Sequence, residues 1–239
     1  MSEWAPKRFW KEARAEELPG GGFTVTLDAR RVKTPAKADL VLPTRALAEA
    51  IAAEWDAQEK KIDPHRMPLT RAANSAIDKV AVQREEVAEL IAAYGGSDLL
   101  CYRATGPEAL VSRQAEHWDP ILDWAREKLG APLVVTAGVI HVEQPRESIA
   151  ALSARVAALS PFELAALHDL VALSGSLVLG LAVAHGAIKP ARAWSLSRID
   201  EDYQAELWGH DEEAAEAAEI KRAAFLQAHR FWTLVTVTG

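Results

Sequence analysis

The sequence contains very little cysteine and no long apolar run. Its single cysteine, Cys101, excludes an intramolecular disulfide framework and a zinc site built from several thiolates, and it suits a reducing compartment. Residues 1–20 contain no apolar stretch of the kind that marks a secretory signal. The longest apolar stretches, such as residues 177–184, are shorter than the roughly 20 residues that cross a bilayer as a helix. We therefore expect a soluble intracellular protein without membrane insertion.

The motifs of common nucleotide and acyl-hydrolase sites are also missing. Residues 20–22 are three glycines that lead into a strand pattern, and no lysine follows them as in a phosphate-binding loop, so a hairpin turn is expected there. The sequence has no Gly-x-Ser-x-Gly motif, and residues 174–176 lack the flanking glycines of a nucleophile elbow. Small side chains at this position favour close helix packing instead.

One segment lacks lysine and arginine and accounts for the net negative charge of the whole chain. The net charge is −7, and residues 200–219 hold nine acidic side chains without a lysine or arginine. The nine are Asp200, Glu201, Asp202, Glu206, Asp211, Glu212, Glu213, Glu216 and Glu219. Binding to nucleic acid requires clustered lysine and arginine, so this pattern argues against nucleic acid as a partner.

The first 43 residues have the pattern of short antiparallel strands. Apolar side chains alternate with polar ones over residues 23–28, which is the period of a strand with one buried face. The glycine turn before it predicts a hairpin with a partner strand within residues 9–17. Residues 31–34 and 39–42 are predicted as a third and a fourth short strand, because tight turns separate them.

After Pro43 the apolar spacing becomes helical. Thr44 is a candidate N-cap for a first helix, and residues 61–69 contain two prolines and are expected to be a linker. Further helices are predicted near residues 71–80, 83–94, 107–129, 145–159, 161–173, 176–186, 190–208 and 211–229, with short strands within 133–143 and 231–238. The fold class is therefore α+β. We expect an N-terminal β domain with one trailing helix at residues 1–62, and a larger, mainly α-helical domain at residues 63–239.

A polar stripe with one large aromatic residue marks the predicted helix over residues 190–208. Leu196, Ile199, Tyr203 and Leu207 follow helical spacing and are expected to face the core. The neighbouring stripe consists of Asp200, Gln204, Trp208 and Asp211. An exposed aromatic among charged side chains is typical of an interface anchor. The alternative is a solvated acidic face with Trp208 folded back onto the body of the protein.

A metal-dependent helical hydrolase is a second hypothesis. It centres on the doublet His168-Asp169, with His117 or His141 and Asp200 as further ligands. Imidazoles and carboxylates on facing helices of a bundle can hold a divalent metal. Against this, His168 shares a helical face with two apolar residues, which is typical of a histidine at the edge of a core. On that interpretation the chain has no metal site.

Several segments, taken together and in order, resemble one known family. They are Arg8-Phe9-Trp10-Lys11, Val25-Thr26-Leu27-Asp28, Lys33-Thr34-Pro35, Leu42-Pro43-Thr44, Glu54-Trp55-Asp56-Ala57-Gln58, Met67-Pro68-Leu69-Thr70 with Asn74 and Asp78, Leu99-Leu100-Cys101-Tyr102-Arg103, Gln114 with Trp118-Asp119-Pro120, Asp200-Glu201-Asp202-Tyr203-Gln204, and Trp208-Gly209-His210-Asp211. This set is similar to the ATP synthase assembly chaperone family called ATP-twelve. Each segment alone is short, but their order covers most of the chain.

The resemblance implies a chaperone that binds the α subunit of the F-type ATP synthase catalytic head until that subunit joins the β subunit. It also implies no enzymatic activity and no cofactor. An acidic residue of the family's motif before Tyr-Gln is tied to function, so it corresponds to one of Asp200, Glu201 and Asp202. The mitochondrial relatives act in the matrix after a transit peptide; this chain resembles a bacterial member that works in the cytoplasm, and we expect a monomer. The expected partner-binding residues are Asp200, Glu201, Asp202, Gln204, Trp208 and Asp211.

Overall fold

The fold was obtained as a computed structural model, which describes residues 7–209 and 211–237. Its strands are β1 (Ala13–Glu17), β2 (Phe23–Leu27), β3 (Arg30–Arg31), β4 (Tyr102–Arg103) and β5 (Thr136–Ala137). Its helices are α1 (Arg45–Asp56), α2 (Pro68–Ser75), α3 (Arg84–Ala93), α4 (Glu108–Trp124), α5 (Arg146–Ala157), α6 (Pro161–Ser174), α7 (Leu177–Ala184), α8 (Pro190–Ser197), α9 (Ile199–Trp208) and α10 (Glu212–Thr236). This arrangement confirms the predicted α+β class.

The N-terminal sheet has three antiparallel strands in the order β1-β2-β3. Ala15 pairs with Val25 in the β1–β2 register, and the turn between these strands uses two glycines with positive φ, as the glycine run predicts. The predicted fourth strand at residues 39–42 is present only as two isolated bridges, Phe23 to Leu42 and Lys33 to Asp39. The two bridges join the segment to different parts of the chain, β2 and the residues after β3, so no continuous ladder forms.

Helix α1 begins where the sequence predicts. The Thr44 hydroxyl accepts a hydrogen bond from the Leu47 backbone N–H, which satisfies one of the unpaired donors of the first turn. One face of α1, including Leu47 and Ile51, is fully buried against the core of the sheet. The N-cap and the apolar spacing therefore act together to fix both the start and the rotation of this helix.

The two-proline segment after α1 is held tightly. The Glu54 carboxylate accepts hydrogen bonds from the backbone N–H groups of Leu69 and Thr70, both at 2.8 Å, and from the Thr70 hydroxyl at 2.7 Å. Glu54 thus caps the N-terminus of α2 from the side. Residues 62 and 63, on either side of the predicted domain boundary, both belong to the first of the two compact units described next.

The chain forms two compact units. The first contains the described residues of Met1–Arg84, Ser160–Ala166 and Arg230–Gly239. Its core joins the sheet to α1 and α2 and includes Trp10, Val25, Leu42 and Ile51. The second contains Glu85–Leu159 and the described residues of Leu167–His229.

The C-terminal segment corrects a sequence prediction. Residues 231–238 were predicted as a strand from their β-branched and aromatic composition, but α10 continues as helix to Thr236, and residues 238 and 239 lie outside the described residues. Phe231 and Val235 are four residues apart and both are buried in the core of the first unit. Helical spacing of buried contacts therefore overrides local strand propensity here.

The second unit is mainly helical. The single helix predicted over residues 190–208 is divided at Arg198 into α8 and α9. The strands predicted within 133–143 reduce to β5, which pairs in parallel with β4.

Helix α4 runs through Pro120 without a break. The chain leaves α4 through a π-helical turn at Ala125–Leu129, which ends at Gly130 with a φ of +68°. None of the described helices combines the length and apolarity needed to cross a membrane.

A buried carboxylate fixes α7 within this unit. Asp98 is fully buried and accepts hydrogen bonds from the Ser176 hydroxyl at 2.7 Å and from the Val178 backbone N–H at 3.0 Å. Ser176 is the N-cap of α7, as its hydroxyl accepts from Leu179 N–H. The neighbouring Cys101 is buried as well, and burial raises the pKa of its thiol to about 12. Cys101 therefore behaves as a small buried apolar side chain.

Candidate partner-binding site

Helix α9 carries most of the predicted site. Its buried face contains Ile199 and Tyr203, as the apolar spacing predicts. The prediction for Leu207 is wrong, because 55% of this residue is exposed. Trp208 follows it with 82% exposure, and the chain then turns at Gly209 with a φ of +92°. The last turn of α9 thus presents two large apolar side chains to solvent.

The predicted site residues of α9 have different environments. Glu201, Asp202, Gln204 and Trp208 are exposed. Asp200 is half-buried, and its carboxylate accepts a hydrogen bond from the Gln114 side-chain amide at 2.5 Å. The Gln114 carbonyl in turn accepts from the Ala104 backbone N–H at 2.8 Å. Asp200 therefore connects α9 to α4 and positions the helix rather than standing in the exposed stripe.

A second connection between α4 and α9 was not predicted from the sequence. Arg113 binds both carboxylate oxygens of Glu206, each at 2.8 Å, and its guanidinium lies 5.2 Å from the centroid of the Tyr203 ring. The hydrogen bonds from Arg113 hold the pKa of Glu206 below its ordinary value. One acidic side chain of the segment is therefore neutralised within the protein.

The Arg113–Glu206 pair predicts a measurable titration. Glu206 should titrate below an ordinary glutamate, and Arg113→Gln should raise its pKa again because the donor and the positive charge are both removed. A pH titration of side-chain carboxyl ¹³C shifts measures this directly. Since the folded pKa is lowered, any stability from the pair is present above the unfolded pKa and is lost as the pH falls through the folded one.

Arg126→Gln is a matched control, because Arg126 pairs with Asp123 and Glu127 instead. It should leave the Glu206 titration unchanged. Equal titration of Glu206 in the wild type and in Arg113→Gln would contradict the bidentate pair.

Two of the remaining predicted residues make contacts at helix starts, Glu201 at the start of α9 and Asp211 at the start of α10. Glu201 forms an ion pair with Arg198 at 2.7 Å. One oxygen of Asp211 accepts from the backbone N–H groups of Glu213 and Ala214, at 2.9 and 3.2 Å, and so caps α10. Asp202 attracts Arg113, whose pKa it helps to raise. Three acidic side chains of α9, those of Glu201, Asp202 and Glu206, therefore lie near one of two arginines, Arg113 or Arg198.

Helices α8, α9 and α10 enclose a groove of about 500 Å³, which we call the α9–α10 groove. It is lined by Trp194, Arg198, Glu201, Asp202, Gln204, Ala205, Trp208, Gly209, Asp211, Ala214, Ala215, Ala218 and Glu219. Sequence reasoning found the acidic residues and Trp208 but missed the alanines. Their spacing on α10 was a signal of a common face, yet only the fold shows that this face lies beside α9.

The residues of the alternative metal site do not come together. His168 forms a hydrogen bond with its chain neighbour Asp169, with 3.0 Å between Nδ1 and Oδ1, and this bond raises the pKa of His168. His117 contacts Arg192, and His141 contacts the Tyr102 hydroxyl. Among residues 7–209 and 211–237, no group of three or more histidine, cysteine or acidic side chains could hold a metal ion. The arrangement proposed for a metal-dependent hydrolase is therefore wrong.

Comparisons with known proteins agree with one another. The family model described as ATP12 chaperone protein matches residues 7–126. The crystal structure of Atp12 from Paracoccus denitrificans is similar, with a TM-score of 0.94, 55% sequence identity, and coverage of 98% of this chain and 100% of that chain. The crystal structure of the Atu1473 protein from Agrobacterium tumefaciens has a TM-score of 0.89 and 47% identity, covering 96% of this chain and 85% of that chain. A relative from Schizosaccharomyces pombe, "Protein atp12, mitochondrial", is 28% identical over 225 residues, which cover 88% of this chain and 76% of the relative.

Proposed function

Since this chain belongs to the ATP12 chaperone family, we propose that it is a chaperone for assembly of the F-type ATP synthase catalytic head and holds the free α subunit until the β subunit replaces it. The proposal includes action as a monomer in the bacterial cytoplasm, without a cofactor. The observation that carries it is Trp208, a large aromatic side chain that is 82% exposed and stands among acidic residues. An aromatic anchor with a charged rim is the usual composition of a protein interface.

The physical task of such a chaperone is to cover a surface. A free α subunit exposes the partly apolar surface that its β partner later buries, and exposed apolar patches of this kind aggregate. Trp208 and Leu207 supply apolar contact, while Asp202 and Glu201 pair with lysine or arginine on the α subunit. Charges at the rim of an interface mainly set the association rate and its salt dependence, so the complex can remain exchangeable.

The test is a pull-down with separately expressed α and β subunits of the cognate ATP synthase. The tagged protein should retain α and not β, and added β should release it from α. Retention of neither subunit by the folded protein would overturn the proposal. Retention of β alone would overturn the choice of partner.

Charge reversal at Asp202 should weaken binding of the α subunit by roughly tenfold, because one attraction is replaced by a repulsion. Asp202 is exposed in the first turn of α9. Asp202→Lys should therefore change the free energy of unfolding by no more than about 1 kcal/mol, the usual effect of a charge near a helix N-terminus. Binding is measured by titration calorimetry and stability by urea denaturation.

Glu147→Lys is the matched control, since Glu147 is exposed in the first turn of α5. It makes the same change of net charge at the same kind of helix position. Binding should remain close to that of the wild type. An equal loss in both variants would mean that net charge and not the α9 surface governs the affinity.

A further inference from the structure

The α9–α10 groove has the size and shape of a recognition site. Its volume of about 500 Å³ lies within the range of small ligand-binding clefts. Trp208 forms one wall with most of its ring exposed. A large aromatic side chain beside a concave surface offers an occupant both a cavity and a flat apolar contact.

The side of the groove formed by α10 is built from small side chains. Ala214, Ala215 and Ala218 line it at helical spacing, and Ala205 faces them from α9. Side chains no larger than a methyl group let an apolar group of another chain approach the helix backbones closely. At the base lies Trp194, which is 6% exposed and tilted against Phe225 at 5.8 Å. The base is therefore apolar and packed against the protein interior.

The rim of the groove is negative. Four carboxylates belong to its lining, those of Glu201, Asp202, Asp211 and Glu219. Among the lining residues that the structure describes, Arg198 is the only cationic side chain, and it forms an ion pair with Glu201. Glu219 pairs with Arg222, which lies outside the lining, so Asp202 and Asp211 carry the remaining negative charge of the rim. An anionic occupant would meet net repulsion here, whereas lysine or arginine side chains flanking an apolar group would be attracted.

We propose that the α9–α10 groove receives one short segment of the partner, in which an apolar side chain inserted against the alanines is flanked by lysine or arginine. The proposal rests on the proposed function, because the partner is the α subunit. It goes beyond that function because it places the main contact in a cavity that recognises a short continuous segment of the partner, rather than on the flat acidic stripe of α9. A peptide that carries this segment therefore binds on its own.

Filling the groove tests the proposal. Ala215→Trp places a bulky ring in the groove, whereas Ala217→Trp makes the same change on α10 two residues further on, at an exposed position outside the lining. Two residues correspond to about 200° around a helix, so Ala217 lies on a different side of α10 from Ala215. Ala215→Trp should weaken binding of the α subunit by roughly tenfold or more, and Ala217→Trp should not. Ala214→Trp serves as a second groove variant if Ala215→Trp fails to fold by circular dichroism.

Overlapping 12-residue peptides that cover the cognate α subunit provide the second probe. Peptides that bind the wild type and lose binding with Ala215→Trp should contain an apolar residue flanked by lysine or arginine. If Ala215→Trp and Ala214→Trp both bind the α subunit as tightly as the wild type does, the groove is not the binding site, while the proposed chaperone function stands. If peptides bind in the groove but the intact α subunit does not bind, the proposed function is overturned and the groove is supported as a recognition site. No groove-dependent peptide at all would overturn the local-segment proposal.

Discussion

Trp118→Ala should lower the free energy of unfolding by about 3–5 kcal/mol, the usual cost of removing a buried tryptophan side chain. Trp118 is fully buried in α4. Its indole N–H donates to the backbone carbonyl of Leu196 in α8 at 2.8 Å, and the Arg103 guanidinium lies 5.3 Å from its ring centroid. Alanine would leave a large cavity, a buried carbonyl without its donor, and an arginine without its aromatic contact.

Urea denaturation followed by far-ultraviolet circular dichroism measures this loss. Trp118→Phe separates the two contributions, because it keeps most of the apolar volume but removes the donor; it should cost less than Trp118→Ala. Trp208→Ala is the matched control, since Trp208 is 82% exposed and its removal should change stability by no more than about 0.5 kcal/mol. A loss below about 1 kcal/mol for Trp118→Ala would contradict its place at the centre of the second unit.

Asp98→Ala should cost about 2–4 kcal/mol, because it leaves several buried donors without an acceptor at once. Asp98 is fully buried and accepts from the backbone N–H groups of Leu100 and Val178 and from the Ser176 hydroxyl. These bonds fix both the short turn after Asp98 and the N-terminus of α7. Their loss should therefore loosen one of the most buried helices of the second unit.

The pH dependence of this loss has a definite sign. Burial raises the pKa of Asp98, so the folded state retains its proton to higher pH than the unfolded state. The stability that Asp98 contributes is therefore largest below its unfolded pKa and declines as the pH rises through the folded pKa. Between the unfolded and the folded pKa of Asp98, the difference in unfolding free energy between the wild type and Asp98→Ala should therefore become smaller as the pH rises.

Asp63→Ala controls for the loss of a capping aspartate as such. Asp63 accepts from the His65 N–H at an exposed short turn, where water can replace it. Its removal should cost less than about 1 kcal/mol at every pH. Equal losses for Asp63→Ala and Asp98→Ala would show that burial of the Asp98 carboxylate adds nothing.

Local patterns were sufficient for most elements of the fold. Alternation over residues 23–28 and the glycines before them predicted the β1–β2 hairpin, and Thr44 predicted the start of α1. These features depend on neighbours in sequence, namely the strand period, the turn conformation and the N-cap bond. The strand prediction for residues 231–238 was wrong, because local composition does not show that Phe231 and Val235 are buried together on one face of a helix.

The exposure of the candidate site was only partly predictable. The polar surroundings of Trp208 left open whether its ring is exposed or folded back onto the protein, and the structure shows that it is 82% exposed. The apolar spacing that placed Ile199 and Tyr203 in the core extended wrongly to Leu207, because periodicity does not reveal where the covering element ends. Which of Asp200, Glu201 and Asp202 contacts the partner stays a prediction, although the bond from Gln114 gives Asp200 an internal role.

By itself the sequence determined the α+β class, the helical spacing, the concentration of negative charge in residues 200–219 and the family. Each of these follows from residue type and order along the chain. Only the tertiary structure decided that Arg113 neutralises Glu206, that Asp200 binds Gln114, and that the alanines of α10 face α9 across a groove. The physical reason is that these contacts join helices from different parts of the chain, and their geometry depends on how the helices pack rather than on any local pattern.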